Sequence, residues 1–133
     1  NGRECGEIAQ SALLYGHFGI PVVMVTGDTA TCREAREFLG EQTVTVAVKE
    51  GFGEQFGALL APLAAHDLIR QGAREALGRA GECKPFTLDL PIRGRLSYPD
   101  KETADKLNPR RSQRVDDTTF EALFESALHI HEF

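Results

Sequence analysis

Tryptophan is absent from these 133 residues, methionine occurs once, and cysteine occurs only three times, as Cys5, Cys32 and Cys83. The three cysteines are odd in number, widely spaced and form no CxxC pair. That excludes a disulfide framework and makes a reducing cytoplasm the expected compartment. No apolar run approaches the roughly 20 residues that a membrane helix needs, so no membrane association is expected. An excess of basic residues is also missing: the net charge is -5 and the pI about 5.4. A nucleic-acid partner is therefore not expected. The one basic cluster, Arg110-Arg111-Ser112-Gln113-Arg114, has acidic neighbours and reads as a solvated loop. There is no internal repeat and no low-complexity tract.

What is present is an ordinary globular composition, 41% hydrophobic and 26% charged, enough for one domain or parts of two small ones. The organising stretch runs from Gly6 to Ala35 and reads as helix, turn, strand, Gly-Asp turn, helix. Gly6 to Phe18 predicts a first helix with Ile8, Ala12 and Leu13 on its apolar stripe, stopped by Gly19. Ile20-Pro21-Val22-Val23-Met24-Val25 is apolar without alternation, as in a strand covered on both faces. Thr26-Gly27-Asp28-Thr29 ends it, and Asp28 or Thr29 is placed to cap a helix that closes at Gly40. Thr43 to Val48 predicts a second, β-branched strand, hence a right-handed βαβ crossover and a parallel sheet.

Lys49 to Ala61 carries Gly51, Gly53 and Gly57 and reads as a loop with a short helical turn. Pro62 suits the first turn of a long helix reaching about Ala80, with Ala65, Ile69, Ala73, Ala76 and Leu77 on one face. Gly81 to Pro85 breaks the pattern. Beyond it, Phe86 to Ile92 alternates like a strand, Asp100 to Leu107 is a short helix and Gln113 to Asp116 a short strand. Thr118-Thr119-Phe120-Glu121 has the form of a capping box opening a last helix. The expected architecture is therefore α/β. Residues 1–84 form part of a doubly wound, Rossmann-like parallel-sheet domain, and residues 85–133 a small two-layer α+β subdomain.

Several residues invite chemistry, each with a plainer reading beside it. Glu7 is a carboxylate in the first turn of a helix, where the dipole alone would favour it. Asp28 stands at the carboxyl end of a strand, where ligands gather in open α/β sheets, but capping aspartates are common there. Lys49 ends the second strand and could reach the same crevice; a surface lysine is the plainer reading. Cys32, near a helix start, is either an activated thiol or an inert buried one. His17 and His66 stand alone, and His129-x-His131 lacks the i, i+3 or i+4 spacing of helical metal ligands. Gly51 to Gly57 is GxGxxxG rather than the dinucleotide fingerprint, and Phe52 and Phe56 suit core packing better than a phosphate loop.

NGRECGE, then Ala12 and Gly16, then Gly19-Ile20-Pro21-Val22-Val23-Met24-Val25-Thr26-Gly27-Asp28, then Cys32 and Glu34-Ala35, resembles the M55 family of D-aminopeptidases. Thr45-Val46-Ala47-Val48-Lys49-Glu50 and the segments Leu60-Ala61-Pro62, Ile69 and Ala76-Leu77 fit it in order. The resemblance implies the C-terminal half of a longer chain. It implies a zinc-dependent amide hydrolase of small peptides, D-amino-acid peptides among them, in which a metal-activated water is the nucleophile. Of the family's ligands to a zinc pair, only the glutamate of Gly-Glu is present, as Glu7. The Asp-x-Glu motif, two ligand histidines and a catalytic histidine are expected upstream of Asn1. Asp28 and Lys49 match family-typical positions in a supporting role.

Ser11, where Asn is usual, and Thr29, where a second Asp often follows, bear on substrate preference more than on zinc. The implied partners are a small peptide substrate, the absent N-terminal half and further copies in a ring-like homo-oligomer. This chain alone is expected to be inactive. The rival from another class is a non-catalytic, Rossmann-like small-ligand-binding or assembly domain using Gly51–Gly57 or the Gly27-Asp28 crevice.

Overall fold

The structure, a computed structural model, describes every residue except Glu54 and Asn108. The chain divides into two compact units, Gly6–Phe86, and Asn1–Cys5 together with Thr87–Phe133.

In the larger unit, helix α1 covers Glu7–His17, strand β1 Met24–Asp28, helix α2 Thr29–Leu39, strand β2 Val44–Gly51, strand β3 Gly57–Leu59 and helix α3 Pro62–Arg79. Helix α1 stops where local sterics require. Gly19 takes φ +71°, while its amide bonds Gly16 O and the amide of Ile20 bonds Tyr15 O, a Schellman closure of the free carbonyls. Asp28 caps α2 by accepting from the Thr31 amide at 2.7 Å, and Pro62 occupies the first turn of α3.

Strands β1 and β2 are parallel, from Met24 opposite Val44 to Gly27 opposite Ala47. Strand β1 begins later than the apolar run predicts and extends through Gly27-Asp28, which was expected to end it. A strand lasts as long as its partner does, and β2 starts only at Val44; Val22 and Val23 touch the sheet through bonds from Thr43 Oγ1 and the Val44 amide. Val22 to Val25 are half-buried and Ile20 is exposed, so the run is not covered on both faces. The strand order β1-β2-β3 gives β1 one neighbour among the described residues.

The glycine-rich stretch is not a loop with a helical turn. Strand β2 runs on to Gly51 and folds back as β3, with Gly51 opposite Gly57 and the Phe52 amide bonded to Phe56 O. The sheet is therefore mixed. Phe52 and Phe56 lie outside any core, 58% and 67% exposed, because the tip of this hairpin projects from the sheet.

Helix α3 meets β1 and β2 through Gly72 and Ala76, with Ala65, Ile69 and Ala73 half-buried beside them. A Cβ on Gly72 would stand 2.4 Å from Val46 Cγ2, so the helix approaches the sheet only because that side chain is missing. Leu77, expected inward, is 77% exposed, one residue past Ala76 and rotated off the face. Phe38 of α2 meets Phe86 edge-on, ring centroids 5.8 Å apart.

The smaller unit is a three-stranded antiparallel sheet, ordered β4 (Ile92–Ser97), β6 (Thr119–Phe124), β5 (Gln113–Arg114), with helix α4 at Lys101–Asp105. The strand expected at Phe86–Ile92 starts instead at Ile92, immediately after Pro91, which has no N–H for a ladder. The last helix does not form. Asp116 Oδ1 accepts from the amides of Thr118 and Thr119, both at 2.8 Å, and closes the turn between β5 and β6. Phe120, Ala122 and Phe124 then alternate inward along β6, opposite Leu96, Gly94 and Ile92.

Candidate functional site

Two places in the larger unit bring candidate residues near one another. The first lies at the carboxyl ends of β1 and β2. The register slips between Gly27 and Asp28, so Asp28 stands opposite Lys49. Its Oδ2 also lies 3.9 Å from where a Cβ on Gly51 would be, which places the carboxylate over the end of β2. The Thr31 amide, then the Thr31 side chain, hold the Asp28 carboxyl below the usual carboxylate range, with Lys49 and the Ala30 amide adding; partial desolvation opposes them. Asp28 is thus a helix cap that stands opposite a lysine in the sheet register.

The second lies where α1 starts. Glu7 is exposed in the first turn, and the helix has no side-chain cap at Gly6. Glu34 of α2, a helix anchored by buried Cys32 and Ala35, comes against Gly6. Glu34 Oε1 is shut off from solvent without a hydrogen-bond partner, and it stands 2.6 Å from where a Cβ on Gly6 would be. The sequence assigned Glu34 no role. Nothing local marks it, since its neighbour lies 28 positions earlier in the chain.

The other candidates stay apart. Cys32 is buried, as an inert thiol would be. His17 packs edge-on against Phe18, His66 is exposed, and His129 Nδ1 sits 3.0 Å from Glu132 Oε1. Gly51 and Gly57 pair across the β2–β3 hairpin, and β3 rather than a helix follows the glycine stretch.

No group of three or more His, Cys, Asp or Glu side chains among the described residues could hold a metal ion. At the helix start two carboxylate residues lie close along the backbone, short of a metal site. An exposed carboxylate follows directly on a glycine whose missing Cβ leaves room for a second carboxylate, and one oxygen of the second lacks a donor. A carboxylate oxygen can be one ligand to zinc, which takes three or four ligands from Cys, His, Asp or Glu in all.

The model of the Peptidase_M55 family, described as D-aminopeptidase, matches residues 1–133. The chain belongs to the M55 family. The D-aminopeptidase of Bacillus subtilis (strain 168) is 33% identical over 93 residues, covering 69% of this chain and 34% of that protein. A solved structure, described as "Zn-dependent D-aminopeptidase DppA from Bacillus subtilis, a self-compartmentalizing protease", superposes with a TM-score of 0.86 at 25% identity. That match covers 96% of this chain and 47% of that one. The chain thus spans about a third of the curated relative and about half of the solved one. No helix among its described residues is long and apolar enough to cross a membrane.

Proposed function

We propose that this chain is part of a zinc-dependent aminopeptidase-type amide hydrolase acting on small peptides, D-amino-acid peptides among them. Glu7 is one of its metal ligands, and the remaining ligands lie outside these 133 residues. The observation that carries the reading is the family match over the whole chain, joined to a free carboxylate at the start of α1. The solved relative is described as zinc-dependent, and two ions are proposed here. When bound, zinc supplies a Lewis acid and an activated water. In this chain Glu7 contributes negative charge and an oxygen donor from a rigid helix end. Asp28 and Lys49 support the site from the ends of β1 and β2.

The relative is also described as self-compartmentalizing, which supports a homo-oligomer for the complete protein. The cytoplasm is the proposed compartment. The larger unit is read as part of a doubly wound core and the later residues as a smaller subdomain. The division of contacts near Phe86 supports that boundary, with Asn1–Cys5 attached to the smaller part.

The test is Glu7→Ala in the full-length protein. Zinc content and activity on D-amino-acid dipeptides are expected to fall together. Normal zinc with full activity would remove Glu7 from the site.

A further inference from the structure

We propose that Asn1-Gly2 is a modification site: the folded smaller unit protects the Asn1 carboxamide from deamidation, and once deamidated the segment no longer fastens to β4. Strand β4 lies at the edge of its sheet, with β6 as its strand neighbour among the described residues. Arg93 of β4 stands opposite Leu123 of β6, and Asn1 takes its other edge. The Asn1 nitrogen donates to the Arg93 carbonyl at 2.7 Å, and the Arg93 amide donates to Asn1 Oδ1 at 2.7 Å. One backbone donor and one side-chain carbonyl thus pair with Arg93 as a neighbouring strand residue would. In a longer chain the same nitrogen is a peptide N–H, a donor still. Asn1 Nδ2 donates in turn to the Asp89 carbonyl at 3.0 Å. Both ends of the carboxamide are in use, one as acceptor and one as donor. Asparagine supplies that combination and ionised aspartate does not.

The residue that follows Asn1 makes this carboxamide labile. Gly2 has no side chain to shield its nitrogen, its φ is +77°, and nothing lies within 4 Å of where a Cβ would stand. Both residues are exposed, so water reaches them. In deamidation the Gly2 nitrogen gives up its proton and attacks Asn1 Cγ. The new C–N bond closes a succinimide, the Cγ–Nδ2 bond breaks, and Nδ2 leaves as ammonia. Water then opens either carbonyl of the ring, giving aspartate or isoaspartate. Ring closure needs a carboxamide free to rotate and an Nδ2 free to leave; the bonds to Arg93 and Asp89 oppose both. The product is a carboxylate, which has no N–H for the Asp89 carbonyl and sets oxygen against oxygen there. Isoaspartate also lengthens the main chain by a carbon. Opening therefore admits the reaction, and the reaction hinders closing.

The experiment incubates the full-length protein at mildly alkaline pH, folded in one sample and unfolded in urea in another. Peptide mass spectrometry and enzymatic isoaspartyl methylation follow the Asn1-Gly2 bond. Deamidation is expected in both samples and about 10-fold slower in the folded one, the order that two hydrogen bonds account for. Equal rates, or no deamidation in the unfolded chain, would overturn the proposal. Asn1→Asp then supplies the product directly. At neutral pH its Arg93 amide should exchange hydrogen faster than in wild type, because the segment that covers that edge is released. Where Asn1→Asp does not fold, wild-type protein aged until Asn1 has deamidated gives the same reading. An Arg93 amide as protected after deamidation as before would show that the segment stays fastened, and the proposal would fall.

Discussion

Asp28 faces Lys49 because β2 skips one residue: Gly27 pairs with Ala47, and the next pair leaves Val48 out. Without that slip an apolar valine would stand opposite the carboxylate. The irregularity therefore places a cation at the carboxyl end of the parallel pair, beside the first turn of α2.

This arrangement predicts a pH signature. The folded carboxyl of Asp28 titrates below its ordinary value of 3.8, chiefly through the Thr31 amide. A depressed pKa contributes stability that is present above the unfolded value and lost as pH falls through the folded one. Asp28→Asn keeps a cap but not the charge, and Asp28→Ala keeps neither. Both should be less stable than wild type at neutral pH, alanine more so. The wild-type advantage over asparagine should close as the pH drops below about 4. Denaturant midpoints over a pH series measure it, and a gap that does not vary with pH would contradict the charge argument.

Two glycines on α3 should respond in opposite directions. At Gly72 an added Cβ would meet Val46 Cγ2 at 2.4 Å and Met24 Cε at 3.1 Å, whereas at Gly78 it would meet nothing within 4 Å. Gly72→Ala is expected to destabilise by about 1–3 kcal/mol through overpacking. Gly78→Ala should stabilise by about 0.5–1 kcal/mol, from helix propensity alone. Urea unfolding of the two variants checks both signs; a neutral Gly72→Ala would mean that the helix does not seat on the sheet there.

In the smaller unit, adjacent residues of β6 should differ sharply. Phe124 is 2% exposed and meets Phe133 at 5.3 Å between ring centroids, while Leu123 is 57% exposed. Phe124→Ala is expected to cost about 3–5 kcal/mol, and Leu123→Ala to stay within about 0.5 kcal/mol. Thermal unfolding separates the cases. Comparable losses at both positions would favour a helical packing of this segment over the strand.

How much was legible differs by range. Gly19 and Pro62 act within a single turn of chain, so their stop and start followed from residue type, while the cap, open between Asp28 and Thr29 in the sequence, falls to Asp28. The parallel pairing of β1 with β2 followed from two apolar runs joined by a helix, and the place of Asp28 near Lys49 followed from that pairing. Residues 118–124 show the opposite case. Phe120, Leu123 and Phe124 fit a helical face, and Phe120, Ala122 and Phe124 fit a strand equally well. The partner that decides between them, β4, lies more than 20 residues earlier.

The sequence by itself determined the family, the helix stop at Gly19, the helix start at Pro62 and a cap at Asp28 or Thr29. These depend on residue type and on contacts within a few positions, where sterics and hydrogen bonding leave few choices. Only the tertiary structure decided the folding back of β2 into β3, the strand at Thr119–Phe124, the seat at Gly72 and the approach of Glu34 to Gly6. Each of these joins residues whose separation along the chain hides their contact, and a side chain absent at one position acquires meaning only from what packing brings against it.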